Sequence, residues 1–349
     1  MEILVATNHL DNIGGSQTYT YAIIAELLRL GHNVEYFTYQ KGFVSDKIEK
    51  LGVRFMTKQH YDLIIANHKP VVQYLFQYGY IIQTTHGIIP GIEEPSCFAD
   101  FNVCVSSFQQ KYFSGMKMAY EVIPNGIDCE RFFPEKPLNE KLTNVLSLCQ
   151  SKEADKLVEL SCRKINVGFR NFKDRNWNIE KEINKADLVV GVGRSLFDAM
   201  ACGRTVISYD TRYADRNFEG DGYLDKNNVN SSLEYNCCGG FNRRFFTVED
   251  FIVELKKYNS CDGIFMREFA LNELNIKKSV EKYLAIYDEN KNKQDKKRLI
   301  ACYNELYTEI NELKSSKYWG FITALREVIN KTKKSKQMRR VKNIIKKAK

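Results

Sequence analysis

No apolar run in the 349 residues approaches the ~20 that a membrane-crossing helix needs, so no transmembrane span is expected. Residues 1–7 lack a basic n-region and carry only a short apolar run, so no secretory leader is expected. Among the ten cysteines there is no Cys-x-x-Cys pair, and Cys237 and Cys238 are adjacent, which suits neither a zinc site nor a disulfide framework. They are expected to be free thiols in a reducing compartment, with the protein cytoplasmic. A Gly-x-Gly-x-x-Gly fingerprint is missing, which weakens a dehydrogenase reading. No Ser, His and Asp spacing suggests a hydrolase, and no short-period repeat occurs. Negative charge is absent from residues 331–349, which hold ten Lys and Arg. Taking those ten from the net charge of +9 leaves the other 330 residues at −1. The basic character therefore belongs to a tail, and no nucleic-acid partner is expected for the body.

Hydrophobic residues make up 44% of the chain and aromatics 12%, which is enough to bury a core and excludes wholesale disorder. Short apolar runs alternate with helical stretches. Residues 3–6, 34–38, 63–66, 81–84, 103–105 and 122–123 read as strands, and residues 18–30 as a helix closed by Gly31. The pattern restarts at residues 145–148 and continues through 165–167, 188–191 and 206–208. Continuous apolar strands spaced by helices predict two parallel sheets in tandem, each covered on both faces. Pro134 and Pro137 punctuate the polar stretch between them. The expected division is 1–136, 137–290, and a helical, amphipathic, basic tail over 291–349. In that tail Leu299, Tyr303, Leu306, Ile310 and Leu313 form a two-heptad seam suited to self-association. Trp319, Phe321, Ile322, Leu325, Val328 and Ile329 form an apolar stripe before the lysine-rich end. Such a stripe suits reversible contact with an anionic membrane surface at the inner face of the membrane, or packing on the first domain.

Four strings carry candidate chemistry. Asn12-Ile13-Gly14-Gly15-Ser16 joins a strand to a helix; Gly14 and Gly15 either let a phosphate or sugar approach the helix amino end or simply make a turn. Thr84-Thr85-His86-Gly87 ends a strand on the side where open α/β sheets bind ligands, so His86 is either a ligand contact or structural; His68, at another strand end, is a weaker candidate. Val122-Ile123-Pro124-Asn125-Gly126-Ile127-Asp128 is a strand followed by a tight turn near the domain boundary, where Asn125 pins the turn or touches substrate. The string from Gly191 to Gly203 reads as strand, glycine loop, helix, glycine stop. There the helix start at Arg194, Ser195 and Leu196 would offer N–H groups and a guanidinium to a diphosphate, and Asp198, read as first-turn, would accept from a ribose diol or merely favour the helix.

In this order the strings resemble the glycosyltransferases of the large retaining family with the GT-B fold (family 4, group 1 type), many of them bacterial polysaccharide transferases. The opening strand, Gly-Gly loop and helix with Gly31-His32-Asn33-Val34, residues 61–68, Thr85-His86-Gly87, residues 122–128 with 132–134, and residues 186–190 and 198–203 carry the likeness over residues 1–290. The resemblance implies two Rossmann-like domains facing across a cleft. The first would hold a glycan or lipid-linked acceptor and the second a nucleotide-diphosphate sugar, with no metal or other cofactor required. It makes His86 a transferase residue near the reacting sugar and places the donor on Gly14, Gly15, Lys156, Arg194, Ser195, Leu196 and Asp198. Two departures stand out. The loop from Gly191 to Arg194 has no counterpart of the family's first donor-site glutamate. Gln150 stands where the family has Arg, with Lys156 (or Lys152) as its lysine partner and Arg194 compensating. These departures motivate a second reading, a catalytically weak scaffold or nucleotide-sugar-binding subunit; a third, on the same fold, is a nucleotide-sugar epimerase.

Overall fold

A computed structural model describes residues 1–88, 91–116, 118–172, 176–213, 218–292, 296–316, 319–320 and 323. Its first sheet is wholly parallel. The strands are β1 (Glu2–His9), β2 (Asn33–Gln40), β3 (Arg54–Phe55), β4 (Tyr61–Asn67), β5 (Gly79–Thr85), β6 (Phe101–Cys104) and β7 (Tyr120–Val122), in the order β3-β2-β1-β4-β5-β6-β7. The second sheet comprises β8 (Asn144–Ser147), β9 (Gly168–Asn171), β10 (Leu188–Gly191), β11 (Thr205–Tyr213) and β12 (Phe218–Leu224), in the order β12-β11-β10-β8-β9. Ile3, Leu4, Leu63, Ile64, Leu188 and Val189 are fully buried, because crossover helices cover both faces of each sheet. Among the described residues nine cysteines are free, seven of them buried, and no helix is long and apolar enough to cross a membrane.

Three sequence expectations change. Residues 165–167 are not a strand: Ile165 caps the helix Lys152–Lys164 and Asn166 takes φ 56°, so extension begins only at Gly168. Asparagine tolerates that left-handed turn. The helix expected from residue 18 starts at Gly15, since the Gly14 carbonyl already accepts the Thr18 N–H at 2.9 Å. The second sheet is not purely parallel, because β12 returns antiparallel beside β11.

The helix Ile276–Asn290 belongs to the first core, although its sequence position follows the second sheet. Ile276, Val280, Tyr283 and Ile286 pack with Ile3, Val5 and Leu27. The Tyr19 hydroxyl donates to that of Tyr283 at 2.9 Å, and the latter lies 2.7 Å from Thr84 Oγ1. Between the sheets the chain crosses at Gly126. A Cβ there would fall 2.8 Å from Ile276 Cα, so glycine is required by close approach. The Ile127 N–H donates to Leu274 O at 2.7 Å, and Ile276 N–H returns to Ile127 O at 2.9 Å.

Residues 294–349 form a separate unit. Its described helix, Lys296–Ser315, exposes Tyr303, Leu306, Ile310 and Leu313. The side chain of Leu299, most of the apolar stripe from Trp319 to Ile329, and the lysine-rich end lie outside the described residues.

Candidate functional site

A cleft of about 550 Å³ opens where the carboxyl ends of the two sheets face each other. That is where α/β sheets place ligands, beyond strand ends and at helix amino termini. One wall comes from the Ile13–Ser16 loop after β1, from His86 after β5, and from Asn125 and Asp128 of the crossing segment. The other comes from residues after β8 and β10, Arg212 of β11, and the turn holding Asn236 and Cys238.

The first wall is hydrogen-bonded within itself. His86 Nδ1 lies 2.9 Å from Asn125 Oδ1, and its Nε2 lies 3.0 Å from Asn67 Oδ1. Burial lowers the ring's pKa from the ordinary 6.5 to about 4, overriding the nearby Glu93 charge. The imidazole is therefore neutral and carries one N–H. Asn67 Nδ2 already donates to Thr20 Oγ1 at 3.0 Å, so Asn67 Oδ1 accepts from His86 Nε2, and bonding of the Nδ1 lone pair requires the Asn125 amide to turn over and present Nδ2 in place of Oδ1. The His86 backbone N–H donates to Glu93 Oε2 at 3.1 Å, and Tyr19 packs edge-on against the ring. His86 thus stands in the cleft wall with both ring nitrogens engaged. Asn125 reaches across to it and does more than pin a turn.

The second wall begins with the helix Arg194–Ala201. Gly193 is its N-cap at φ 58°, a conformation that favours glycine, and it has no side chain to cap the helix. The Gly193 carbonyl accepts the N–H groups of Leu196 and Phe197, which leaves the N–H groups of Arg194 and Ser195 at the open end. Arg194 and Ser195 line the cleft. Leu196 does not: it is fully buried in the second core, and its N–H is spent on Gly193. Lys156 is not brought to the cleft either. On its helix Ala154, Asp155 and Val158 face inward, which turns Lys156 to solvent.

Asp198 lies in the second helical turn, not the first, so it is no dipole-stabilising early carboxylate. Its Oδ1 is 3.8 Å from Arg194 Nε, beyond hydrogen-bond distance, and has no hydrogen-bond partner among the described residues. Burial raises its pKa from 3.8 to about 6 against the pull of Arg194 and Arg131. A buried acceptor without a partner costs free energy unless a ligand supplies the donor.

Arg212, Trp177 and Asn236 are among the cleft residues that sequence reasoning missed. Arg212 enters from β11, its Nε donating to the fully buried Asp210 at 2.8 Å. The same carboxylate accepts the Gln150 N–H at 2.9 Å, so a cation from another strand stands beside Gln150. Trp177 crosses from the second sheet's side to pack edge-on against Tyr21, ring centroids 4.8 Å apart, and near Phe43. Arg131 lies 4.9 Å over its ring and bonds its carbonyl and Glu180. Asn236 sits beside Gly193. None of the three falls in a recognisable string. Among the described residues no group of His, Cys, Asp or Glu is arranged to hold a metal ion.

No family model matches the chain, and no curated protein does. Solved structures do. A glycosyltransferase from Rickettsia africae shares 12% identity, with 84% of this chain and 99% of that one covered and a TM-score of 0.54. HepE of Anabaena, in complex with UDP and glucose, shares 13%, covering 83% and 100%, with a TM-score of 0.56. The catalytic domain of starch synthase IV from Arabidopsis thaliana, bound to ADP and acarbose, shares 10%, covering 83% and 99%, with a TM-score of 0.52. Two facing, mainly parallel sheets with this likeness define the GT-B fold, and the chain has it.

Proposed function

We propose that the chain is a glycosyltransferase that takes a nucleotide-diphosphate sugar as donor and passes the sugar, with retention, to a glycan or lipid-linked acceptor. The observation that carries this reading is the uncapped start of the helix Arg194–Ala201, which faces the cleft with Arg194 at its mouth and Asp198, whose Oδ1 has no hydrogen-bond partner among the described residues, one turn deeper. The two free N–H groups and the guanidinium suit a diphosphate, and Asp198 suits a ribose diol. In the reaction, negative charge grows on the leaving diphosphate. Arg194, Arg212 and the helix amino end are fixed charges and dipoles aimed at that place, and stabilise it without reorganising. That HepE was solved with UDP and glucose, and starch synthase IV with ADP, supports the donor class. Retention is inferred from the motif order alone.

Calorimetric titration with UDP, GDP, ADP and their sugars, followed by donor hydrolysis, tests the reading. Binding of one nucleotide with slow release of its diphosphate supports a transferase. Absence of all binding overturns it. Because the loop from Gly191 to Arg194 has no carboxylate, a non-catalytic donor-binding subunit is the second reading, favoured by binding without any release. The basic C-terminal segment is proposed to contact anionic membrane surfaces. Truncation after residue 317 is then expected to abolish co-sedimentation with anionic vesicles, and unchanged co-sedimentation would remove the idea.

A further inference from the structure

We propose that the Asn236–Cys238 turn recognises a hydroxyl of the transferred sugar through the side-chain oxygen of Asn236. This rests on the nucleotide-sugar reading above. The turn is held in place rather than left to solvent. Its Cys237 carbonyl accepts both the Gly193 N–H and the Ser208 hydroxyl, each at 3.1 Å, and the Cys237 N–H donates to Ser232 O at 2.9 Å. Asn236 and Cys237 lie at φ 58° and 49°, two successive left-handed residues of which neither is glycine. Such backbone is costly, and persists where the surroundings over-determine it. What the turn delivers to the cleft is Asn236 and Cys238, beside Gly193 at the mouth of the donor helix.

Asn236 Nδ2 has only a weak contact, 3.7 Å to Cys238 Sγ, and its Oδ1 is buried without a hydrogen-bond partner among the described residues. Cys238 Sγ turns back onto Asn236 O at 3.3 Å, and burial pushes its thiol up to about 11, so the thiol itself is neutral. A neutral carbonyl oxygen accepts from a hydroxyl and repels phosphate oxygens. The donor's hydroxyls lie on its ribose and its sugar. Asp198, one turn down the helix, suits the ribose, which leaves the sugar for Asn236.

The clean variant is Asn236→Gly, which tolerates φ 58° and removes the side chain with its amide and the weak contact to Cys238 Sγ. Full-length wild type and variant are titrated with UDP, GDP and ADP, and with UDP-glucose, UDP-N-acetylglucosamine, GDP-mannose and ADP-glucose. For the pair that wild type binds, the variant is expected to lose about 5–50-fold in affinity for the nucleotide sugar, the usual worth of one such hydrogen bond, with diphosphate affinity within about twofold. Equal binding by both proteins overturns the proposal and leaves the donor reading intact. Equal loss of diphosphate and nucleotide sugar also overturns it, since Asn236 would then serve the nucleotide or the fold. If wild type binds none of the probes, the donor reading falls and this proposal falls with it.

Discussion

The two walls of the cleft differ in how completely their polar groups are satisfied. On the first, His86 is held by Asn67 and Asn125, and Tyr19, Tyr283 and Thr84 close a second buried chain behind it. On the second, Asp198 Oδ1 and Asn236 Oδ1 are buried without hydrogen-bond partners among the described residues, an uncapped helix end faces the opening, and Gly193, Asn236 and Cys237 hold positive φ. Buried polar groups are nearly always paired in folded proteins. Thr85 Oγ1 and Asp11 Oδ1 also lack hydrogen-bond partners among the described residues and His68 takes φ 73° on the first sheet, but among the residues that line the cleft the unsatisfied acceptors, Asp198 and Asn236, both lie on the second wall. The side chains that line the first wall show no such demand, and this difference is consistent with the proposed division into donor and acceptor sides.

The largest expected effect tests the donor wall directly. Arg194→Ala removes the guanidinium at the helix mouth and is expected to weaken nucleotide-diphosphate binding by about 1–3 kcal/mol, the range for charge-assisted contacts. Calorimetry with the nucleotide that wild type prefers is the measurement. Unchanged affinity would move the diphosphate away from this helix and dissolve the contrast between the walls.

Asp198→Asn sharpens the contrast because it moves two quantities in opposite directions. The carboxylate is ionised at neutral pH against its burial, so a neutral isostere is expected to raise folding stability by about 1–3 kcal/mol, read by denaturant unfolding. Nucleotide affinity is expected to fall by about 1–2 kcal/mol, because the amide oxygen accepts less strongly than a carboxylate. A variant that loses both stability and binding would make Asp198 a structural residue.

The sequence was most legible where function depends on neighbours in the chain. The run from Leu188 through the glycine loop to Gly203 is legible as strand, turn and helix because an apolar run and its glycines lie next to one another, and the structure gives Gly193 and Gly203 positive φ. Lys156 shows the limit of matching by order: its place in the string was right for a donor contact, yet the helical phase set by Ala154 and Val158 turns it outward. Asn236 and Arg212 were invisible for a different reason. Each is brought to the cleft by bonds to distant residues, Cys237 to Ser208 and Gly193, and Asp210 to Gln150. The return of the helix Ile276–Asn290 to the first core is likewise set by long-range contacts of Tyr283 that no local pattern encodes.

The smallest effect is expected in the wild type itself, where the two walls oppose each other in pH. His86 falls from 6.5 unfolded to about 4 folded, so the unfolded chain binds more protons between those values. Its contribution is complete above pH 6.5 and is lost as pH falls toward 4. Asp198 rises from 3.8 to about 6, so the folded chain binds more protons there, and its contribution is complete below 3.8 and lost as pH rises through 6. The slopes have opposite signs over nearly the same window and comparable size, about 3 kcal/mol each at most. Together they leave little net dependence from these two groups. Removing one exposes the other. His86→Gln, which keeps a side-chain hydrogen bond to Asn67 but does not titrate, is expected to make stability fall as pH rises from 4 to 6. Asp198→Asn is expected to make it rise. Urea unfolding of both variants and wild type across pH 4–7 measures the slopes. Parallel pH profiles for the two variants would show that the walls do not differ in the way their hydrogen bonding indicates.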